Sequence, residues 1–134
     1  MKRILFALSV LILSNVAYAQ KAEKSNDYQV VMAQEKEQIH AKYSEIKASL
    51  EKNDFTKAKQ QYADAVKLME NSIASDQKFL RKTKSADSQA NLEYKIKTKT
   101  NLLAASKPFE TVDLAKEGAR YAIYIMEFAG VCGR

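Results

Sequence analysis

The sequence DFTKAKQQYADAVKLME at residues 54–70 decides how the surrounding chain folds. Its apolar and small residues recur at alternating steps of three and four, the spacing of one face of an α-helix. They are Phe55, Ala58, Tyr62, Ala65 and Met69. Asp54 stands where a helix N-cap is expected, and Asn53 before it tolerates the left-handed conformation that ends a helix. The stretch is therefore predicted to be the second helix of a tight antiparallel hairpin.

The residues before this stretch predict the first helix of that hairpin. Apolar positions recur every three or four residues, with Glu35 as the single acidic exception. The stripe consists of Tyr28, Met32, Glu35, Ile39, Tyr43, Ile46 and Leu50. Because an unpaired buried carboxylate is costly, we expect Glu35 at an edge of the bundle. The second helix either continues past residue 70 to Leu80 or breaks after Asp76, and the pattern leaves both open.

The middle of the chain is ambiguous. Small polar residues at 85–88 predict a loop. Residues 92–102 then alternate apolar and polar side chains, which is typical of a β-strand. No other segment offers a partner strand, and a lone strand cannot satisfy its backbone hydrogen bonds. Leu92, Ile96 and Leu103 also share a helix face on which the stem of Lys99 can lie, so we interpret the segment as helical.

The last helix is predicted to begin near Pro108, which a first helical turn accepts, and to end at Gly130. We assign its inner stripe to Val112, Ala115, Ala119, Ala122, Met126 and Ala129. Further apolar side chains surround its C-terminal part, as in a central helix or one at an oligomer interface. Gly118 costs about 1 kcal/mol relative to Ala inside a helix, so we expect a close backbone contact there.

The composition favours helices throughout. The chain has 3 Gly and 1 Pro, whereas strong helix formers are abundant. Its single cysteine, Cys132, permits no internal disulfide, so the fold must rest on a packed core. The sequence predicts an all-α fold, a small antiparallel bundle of about four helices. We place this bundle at residues 28–130, between a flexible segment at 20–27 and a C-terminal tail at 131–134.

The N-terminus has the features of a secretory signal peptide at residues 1–19. A positive start, Met1-Lys2-Arg3, precedes an apolar segment, and Ala17-Tyr18-Ala19 forms an A-x-A cleavage site. We expect cleavage after Ala19 and a periplasmic or secreted protein. The alternative is an uncleaved anchor, but the apolar segment is short for a stable membrane span. Export makes nucleic acid an unexpected partner, despite the net charge of +6.

The sequence KNDFTKA at residues 52–58, followed by Tyr62 and Ala65, resembles the turn and second helix of a tetratricopeptide repeat. Asn53 replaces the usual turn glycine, and Glu70 stands where that family places proline. The preceding helix departs further from the family pattern, so the resemblance is confined to one hairpin. It implies tetratricopeptide-like hairpins and a non-enzymatic role in holding peptides or partner proteins.

Two groups of residues are candidate ligands of a metal ion or a cofactor. Glu37 and His40 form one Glu-x-x-His pair, a motif that helical bundles use in duplicate to hold two metal ions. Met32 and His40 are alternatively candidate axial ligands of haem, although the chain lacks a C-x-x-C-H motif. The only histidine lies beside the apolar stripe, which favours a surface position. We therefore expect no cofactor or metal, and keep a haem or metal carrier as the alternative function.

No pattern of catalytic residues is found, so we expect no enzymatic activity. Our first hypothesis is an adaptor or an inhibitor that contacts another protein. The candidate contact residues are Lys95, Lys97, Lys99, Tyr121, Tyr124 and Phe128. The basic region at residues 78–107 could contact an anionic surface, or could be a solvated lysine-rich face. Cys132 could form an intermolecular disulfide, which would make the protein a homodimer.

Overall fold

The computed structural model describes residues 27–133. The chain divides into two compact units, Met1–Val31 and Met32–Arg134. Of the first unit the structure describes only residues 27–31, which begin the first helix. The predicted signal peptide and nearly all of the predicted flexible segment lie outside the described residues. Every contact reported below lies within the second unit.

Residues 27–133 form four α-helices and a short 3-10 helix, with no β-strand among them. The helices are α1 (Asp27–Glu51), α2 (Phe55–Lys82), α3 (Ala86–Ser106) and α4 (Leu114–Cys132). Helix α2 packs against α3, and α3 packs against α4. The predicted small all-α bundle is therefore confirmed. None of the helices in the described part of the chain is long and apolar enough to cross a membrane.

The turn between α1 and α2 forms as the sequence predicts. Asn53 has a φ of 58°, the left-handed conformation that ends α1. Asp54 caps α2 by accepting a hydrogen bond from the backbone nitrogen of Lys57 at 3.2 Å. Further along the hairpin, the Ser49 hydroxyl donates to the amide oxygen of Gln61 at 2.7 Å. These contacts fix the antiparallel register of α1 on α2.

Helix α2 continues without a break to Lys82, and the loop that follows is shorter than predicted. Ser85 already acts as the N-cap of α3, accepting a bond from the backbone nitrogen of Ser88. The ambiguous segment at 92–102 is helical, as interpreted. Its buried positions are Leu92, Lys95, Lys99, Leu103 and Ser106. Because lysines occupy two inner positions, the apolar pattern of this helix was obscured.

A 3-10 helix, Lys107–Glu110, separates α3 from α4. The predicted start of the last helix at Pro108 was therefore too early, since Asp113 caps α4 by accepting a bond from the backbone nitrogen of Ala115. The 3-10 turn places Phe109 in the core, where its ring stacks on Tyr62 with centroids 5.2 Å apart.

The predicted inner stripe of α4 is correct at Ala122 and Ala129, which are buried, and wrong at three other positions. Ala115, Ala119 and Met126 are exposed. The buried residues are Leu114, Gly118, Tyr121, Ala122, Ile125, Phe128, Ala129, Val131 and Cys132. The predicted tail at 131–134 was also wrong in its first two positions, because α4 ends at Cys132 and is capped by Gly133 rather than Gly130. A helix that is apolar on several sides does not reveal from its own pattern which side is buried.

Gly118 lies where residues of both α1 and α2 contact α4. A Cβ atom at this position would lie 2.7 Å from Cδ2 of Leu50 on α1. The buried Tyr62 hydroxyl on α2 donates a hydrogen bond to the Gly118 carbonyl oxygen. The close backbone contact expected at this glycine is therefore confirmed, and it brings three helices to one point.

This contact predicts opposite effects for substitution at the two glycines of α4. Gly118→Val should lower the free energy of unfolding by about 2 kcal/mol, because its side chain overlaps Leu50. Gly130→Ala should raise it by about 0.5–1 kcal/mol, because Ala has the higher helix propensity and a Cβ there meets nothing within 4 Å. Urea unfolding followed by circular dichroism at one protein concentration measures both. A Gly118→Val protein as stable as wild type would contradict this account.

Candidate functional site

Six polar side chains from all four helices converge inside the bundle. This polar core cluster consists of Glu35 from α1, Ser72 and Asp76 from α2, Lys95 and Lys99 from α3, and Cys132 from α4. Lys99, Ser72 and Asp76 have no exposed surface. Buried charges are tolerated only when they are paired and hydrogen-bonded. The geometry of the cluster therefore determines whether the bundle can form.

The Lys99 ammonium group is at the centre of the polar core cluster. Its Nζ atom lies 2.7 Å from Oδ2 of Asp76 and 2.9 Å from the Ser72 hydroxyl oxygen. A third contact, at 3.5 Å, is with the sulfur of Met32. The Phe128 ring lies across from these groups, with its centroid 5.6 Å from Nζ, close enough for a cation–π interaction. All four helices thus contribute to the environment of one cation.

Two carboxylate oxygens in the cluster lack hydrogen bonds. Oδ1 of Asp76 and Oε1 of Glu35 are buried with no partner within the described range 27–133. Desolvation raises the pKa of the Glu35 carboxyl group, against the smaller lowering effects of the Lys99 charge and of hydrogen bonds from Ser72 and Ser75. Glu35 is thus half-buried beside charged groups, rather than at the bundle edge as expected.

Burial also shifts the pKa values of the Lys95 amine and the Cys132 thiol. The pKa of Lys95, which is 3% exposed, is lowered first by desolvation and second by the charge of Lys99. Desolvation raises the pKa of the Cys132 thiol, whose sulfur lies 3.5 Å from the Ser72 hydroxyl oxygen. A reactive cysteine requires a lowered pKa and solvent access, so Cys132 has the properties of a structural residue.

Several predicted contact residues are in the core. Lys95, Lys99, Tyr121 and Phe128 are buried, so their prediction as surface contacts was wrong. The physical reason is that α3 and α4 are rotated about their axes so that the sides carrying these residues face the core. Lys97 is exposed and Tyr124 is half-buried.

The Cys132 disulfide between chains stays a prediction, and the position of the thiol in this conformation disfavours it. The thiol is 2% exposed and belongs to α4 rather than to a mobile tail. A disulfide with a second chain would require the end of α4 to unfold.

The structure does not bring Met32 and His40 together. Met32 is buried against Lys99, whereas His40 is exposed and lies beside the Tyr43 ring. Eight residues separate them along one helix, a rise of about 12 Å. Glu37 is also exposed. Among residues 27–133, no group of three or more His, Cys, Asp or Glu side chains could hold a metal ion.

The exposed side of α4 carries an apolar surface instead. This α4 stripe consists of Ala115, Ala119, Ile123, Met126 and Gly130, all exposed. Ile123 is 43% exposed and Met126 is 39% exposed. Beside the stripe, a groove of about 360 Å³ separates α4 from the C-terminal part of α1. Tyr43, Lys47 and Leu50 line it from α1, and Ala115, Ala119 and Ile123 line it from α4.

The exposed positive charge is concentrated near the turn between α2 and α3. Lys78, Arg81, Lys82 and Lys84 are all exposed there. Because Lys95 and Lys99 are buried, the surface of the predicted basic region is smaller than the sequence indicated. Acidic Asp87 and Glu93 are exposed on the following helix.

Sequence reasoning missed the polar core cluster, although two signals were present. Glu35 stands on an otherwise apolar helix stripe, which in hindsight indicates a buried partner of opposite charge. Lys95 and Lys99 are also four residues apart, in helical phase with Leu92 and Leu103. That spacing places both lysines on the face that carries the leucines.

Comparison with known proteins returned no matching family model, curated protein or solved structure.

The buried ion pair predicts a strong coupling between its partners. Lys99→Met and Asp76→Asn should each destabilise the fold. The loss for Lys99→Met should be about 3–5 kcal/mol, because this variant leaves a buried carboxylate unpaired. The double variant should lose clearly less free energy of unfolding than the sum of the losses of the two single variants. Lys97→Met, on the exposed side of the same helix, should stay within about 0.5 kcal/mol of wild type. Additive losses in urea unfolding would contradict direct pairing.

The raised pKa of Glu35 predicts a pH-dependent stability difference. Above the reference value of 4.5, the unfolded chain releases this proton before the folded protein does. Between pH 4.5 and the higher pKa of the folded state, the folded protein binds more protons than the unfolded chain. Its stability therefore falls as pH rises through that range. Glu35→Gln removes the effect, so its stability relative to wild type should increase above pH 4.5 and then level off. The exposed Glu37→Gln protein is the matched control. Parallel stability curves for wild type and Glu35→Gln would refute the prediction.

Proposed function

We propose that this protein is an exported, non-enzymatic binding protein that acts through contact with another protein chain. The observation that carries the proposal is the α4 stripe with its adjoining groove. Two of the three large hydrophobic residues exposed within residues 27–133 belong to that stripe. Contiguous exposed apolar surface beside polar residues is typical of interaction sites.

The chemistry of the surface indicates the kind of partner. Alanine and glycine let a second backbone approach closely, while Ile123 and Met126 provide apolar side chains that a partner can cover. The groove edges carry Lys47 from α1 and Lys116 from α4, which can orient a partner without blocking the apolar floor. An apolar helical face on the partner fits this surface better than a small polar ligand.

Two further considerations support a binding role. The burial of Lys95 and Cys132 removes the cluster's nucleophiles from contact with a substrate. The signal-like N-terminus and the resemblance to a tetratricopeptide hairpin both fit a secreted or periplasmic adaptor or inhibitor. A haem or metal carrier using His40 and Met32 receives no support from their positions.

Site-specific photo-crosslinking tests the proposal. A photoreactive amino acid at Lys116, beside the α4 stripe, should form a covalent adduct with a protein in cells that express the chain. The control has the same photoreactive amino acid at Lys67, which is exposed on α2. It should not form that adduct. Mass spectrometry identifies the attached chain, and a second copy of this protein counts as a partner.

The adduct must depend on the apolar surface. Ile123→Asp should abolish it, because a carboxylate cannot be buried there without a partner, while circular dichroism confirms an intact fold. Tyr94→Asp, at an exposed large hydrophobic position outside the stripe (58% exposed), should leave it unchanged. An absent adduct, or one that persists in Ile123→Asp, would overturn the proposal.

A further inference from the structure

The outer side of α4 has two parallel rows of different chemistry. The first is the α4 stripe, which spans about 80° of the helix circumference at 100° per residue. The second consists of Lys116, Arg120 and Glu127, which are exposed and follow the stripe on one side. The stripe itself forms the α4 wall of the groove with α1, and Lys116 also lines that groove. The exposed surface of α4 is therefore apolar along its middle and charged along one flank.

An antiparallel two-fold pairing of α4 helices brings identical flanks together. In that arrangement the charged row of one helix lies along the charged row of the other, as e positions face e positions in an antiparallel coiled coil. With the two-fold axis close to Ile123, Arg120 lies at the level of Glu127 of the second copy. The same contact occurs twice by symmetry, with Arg120 turning to it from an exposed ion pair with Glu117 of its own chain, 3.7 Å away.

The apolar rows are complementary in the same register. Ile123 meets its own counterpart at the axis, Ala119 lies at the level of Met126, and Ala115 lies at the level of Gly130. A large side chain thus faces a small one on both sides of the axis, and small residues face each other at the ends. This pattern permits helices to pack about 8–10 Å apart.

A parallel pairing lacks this complementarity. It would place the charged row of one copy against the groove of the other, which is lined by both Lys47 and Glu51. Lys116 and Arg120 would then approach one cation and one anion, so the parallel pairing gains no net charge attraction. Because only the antiparallel pairing places Arg120 beside Glu127 of the second copy, the charged row favours that arrangement.

We infer that the partner of the α4 stripe is a second copy of this chain, packed antiparallel across α4 with reciprocal Arg120–Glu127 pairs. This inference rests on the proposed binding role of the stripe and specifies its partner. One helix face per copy is a small interface, so the dimer should be weak, with a dissociation constant on the order of 10–100 μM. Buried Cys132 takes no part in it.

Sedimentation equilibrium of the protein, purified in the form that cells accumulate, tests the inference. From about 5 to 500 μM, a range that brackets this affinity, the mean mass should rise from one chain towards two, with and without reductant. Ile123→Asp should keep the mass of one chain throughout. Tyr94→Asp should behave as wild type. A wild-type protein that remains a single chain, or an Ile123→Asp protein that dimerises equally, would overturn the inference.

Charge reversal tests the register. Arg120→Glu and Glu127→Arg should each weaken dimerisation by about fivefold, because each creates two like-charge contacts. The double variant restores opposite charges and should recover most of the wild-type affinity. Because these groups are exposed, the effect should diminish at high salt. Failure of the double variant to recover would refute the antiparallel register.

The two proposals can fail separately. A wild-type protein that never dimerises, but forms an Ile123-dependent adduct with a different protein, refutes the inference and supports the proposed function. A protein without any Lys116 adduct that also never dimerises refutes both.

Discussion

The fold depends on one buried ion pair, between Lys99 on α3 and Asp76 on α2. Removing two charges from water is costly, and the short contact between Lys99 and Asp76 offsets part of that cost, although Oδ1 of Asp76 has no hydrogen-bond partner among residues 27–133. Here Ser72, Met32 and the Phe128 ring complete the surroundings of the ammonium group. Because these residues come from all four helices, the pair constrains how each helix is rotated.

That constraint connects the core to the surface. With Lys99 directed inward, Phe128 and Cys132 of α4 must face the same interior, and Gly118 must face Leu50 and Tyr62. The opposite side of α4 then faces outward although it is also apolar. A helix with more apolar residues than its core face can use exposes the remainder. The interaction surface that we propose is thus a consequence of how the polar core cluster orients α4.

The sequence predicted local features better than the rotation of each helix about its own axis. The Asn53–Asp54 turn, the stripes of α1 and α2 and the close contact at Gly118 all follow from chemistry within a few residues. The inner face of α3 did not, because a lysine is normally a surface residue and its partner Asp76 is 23 positions away. The face of α4 could not be predicted either, since both candidate stripes are apolar. Only tertiary contacts distinguish the two stripes. Part of the outward α4 stripe had been assigned to the core from the sequence.

The most direct test of the central claim is an NMR measurement of the lysine ammonium groups in ¹⁵N-labelled protein. If Lys99 is charged and enclosed, its ammonium protons should exchange slowly with water and show nuclear Overhauser effects to the Phe128 ring and the Met32 methyl group. Lys99→Met should remove that signal and assign it. Rapid exchange of the Lys99 ammonium group with water, with no effect linking it to Phe128, would contradict the account, because the cation would then lie outside the core.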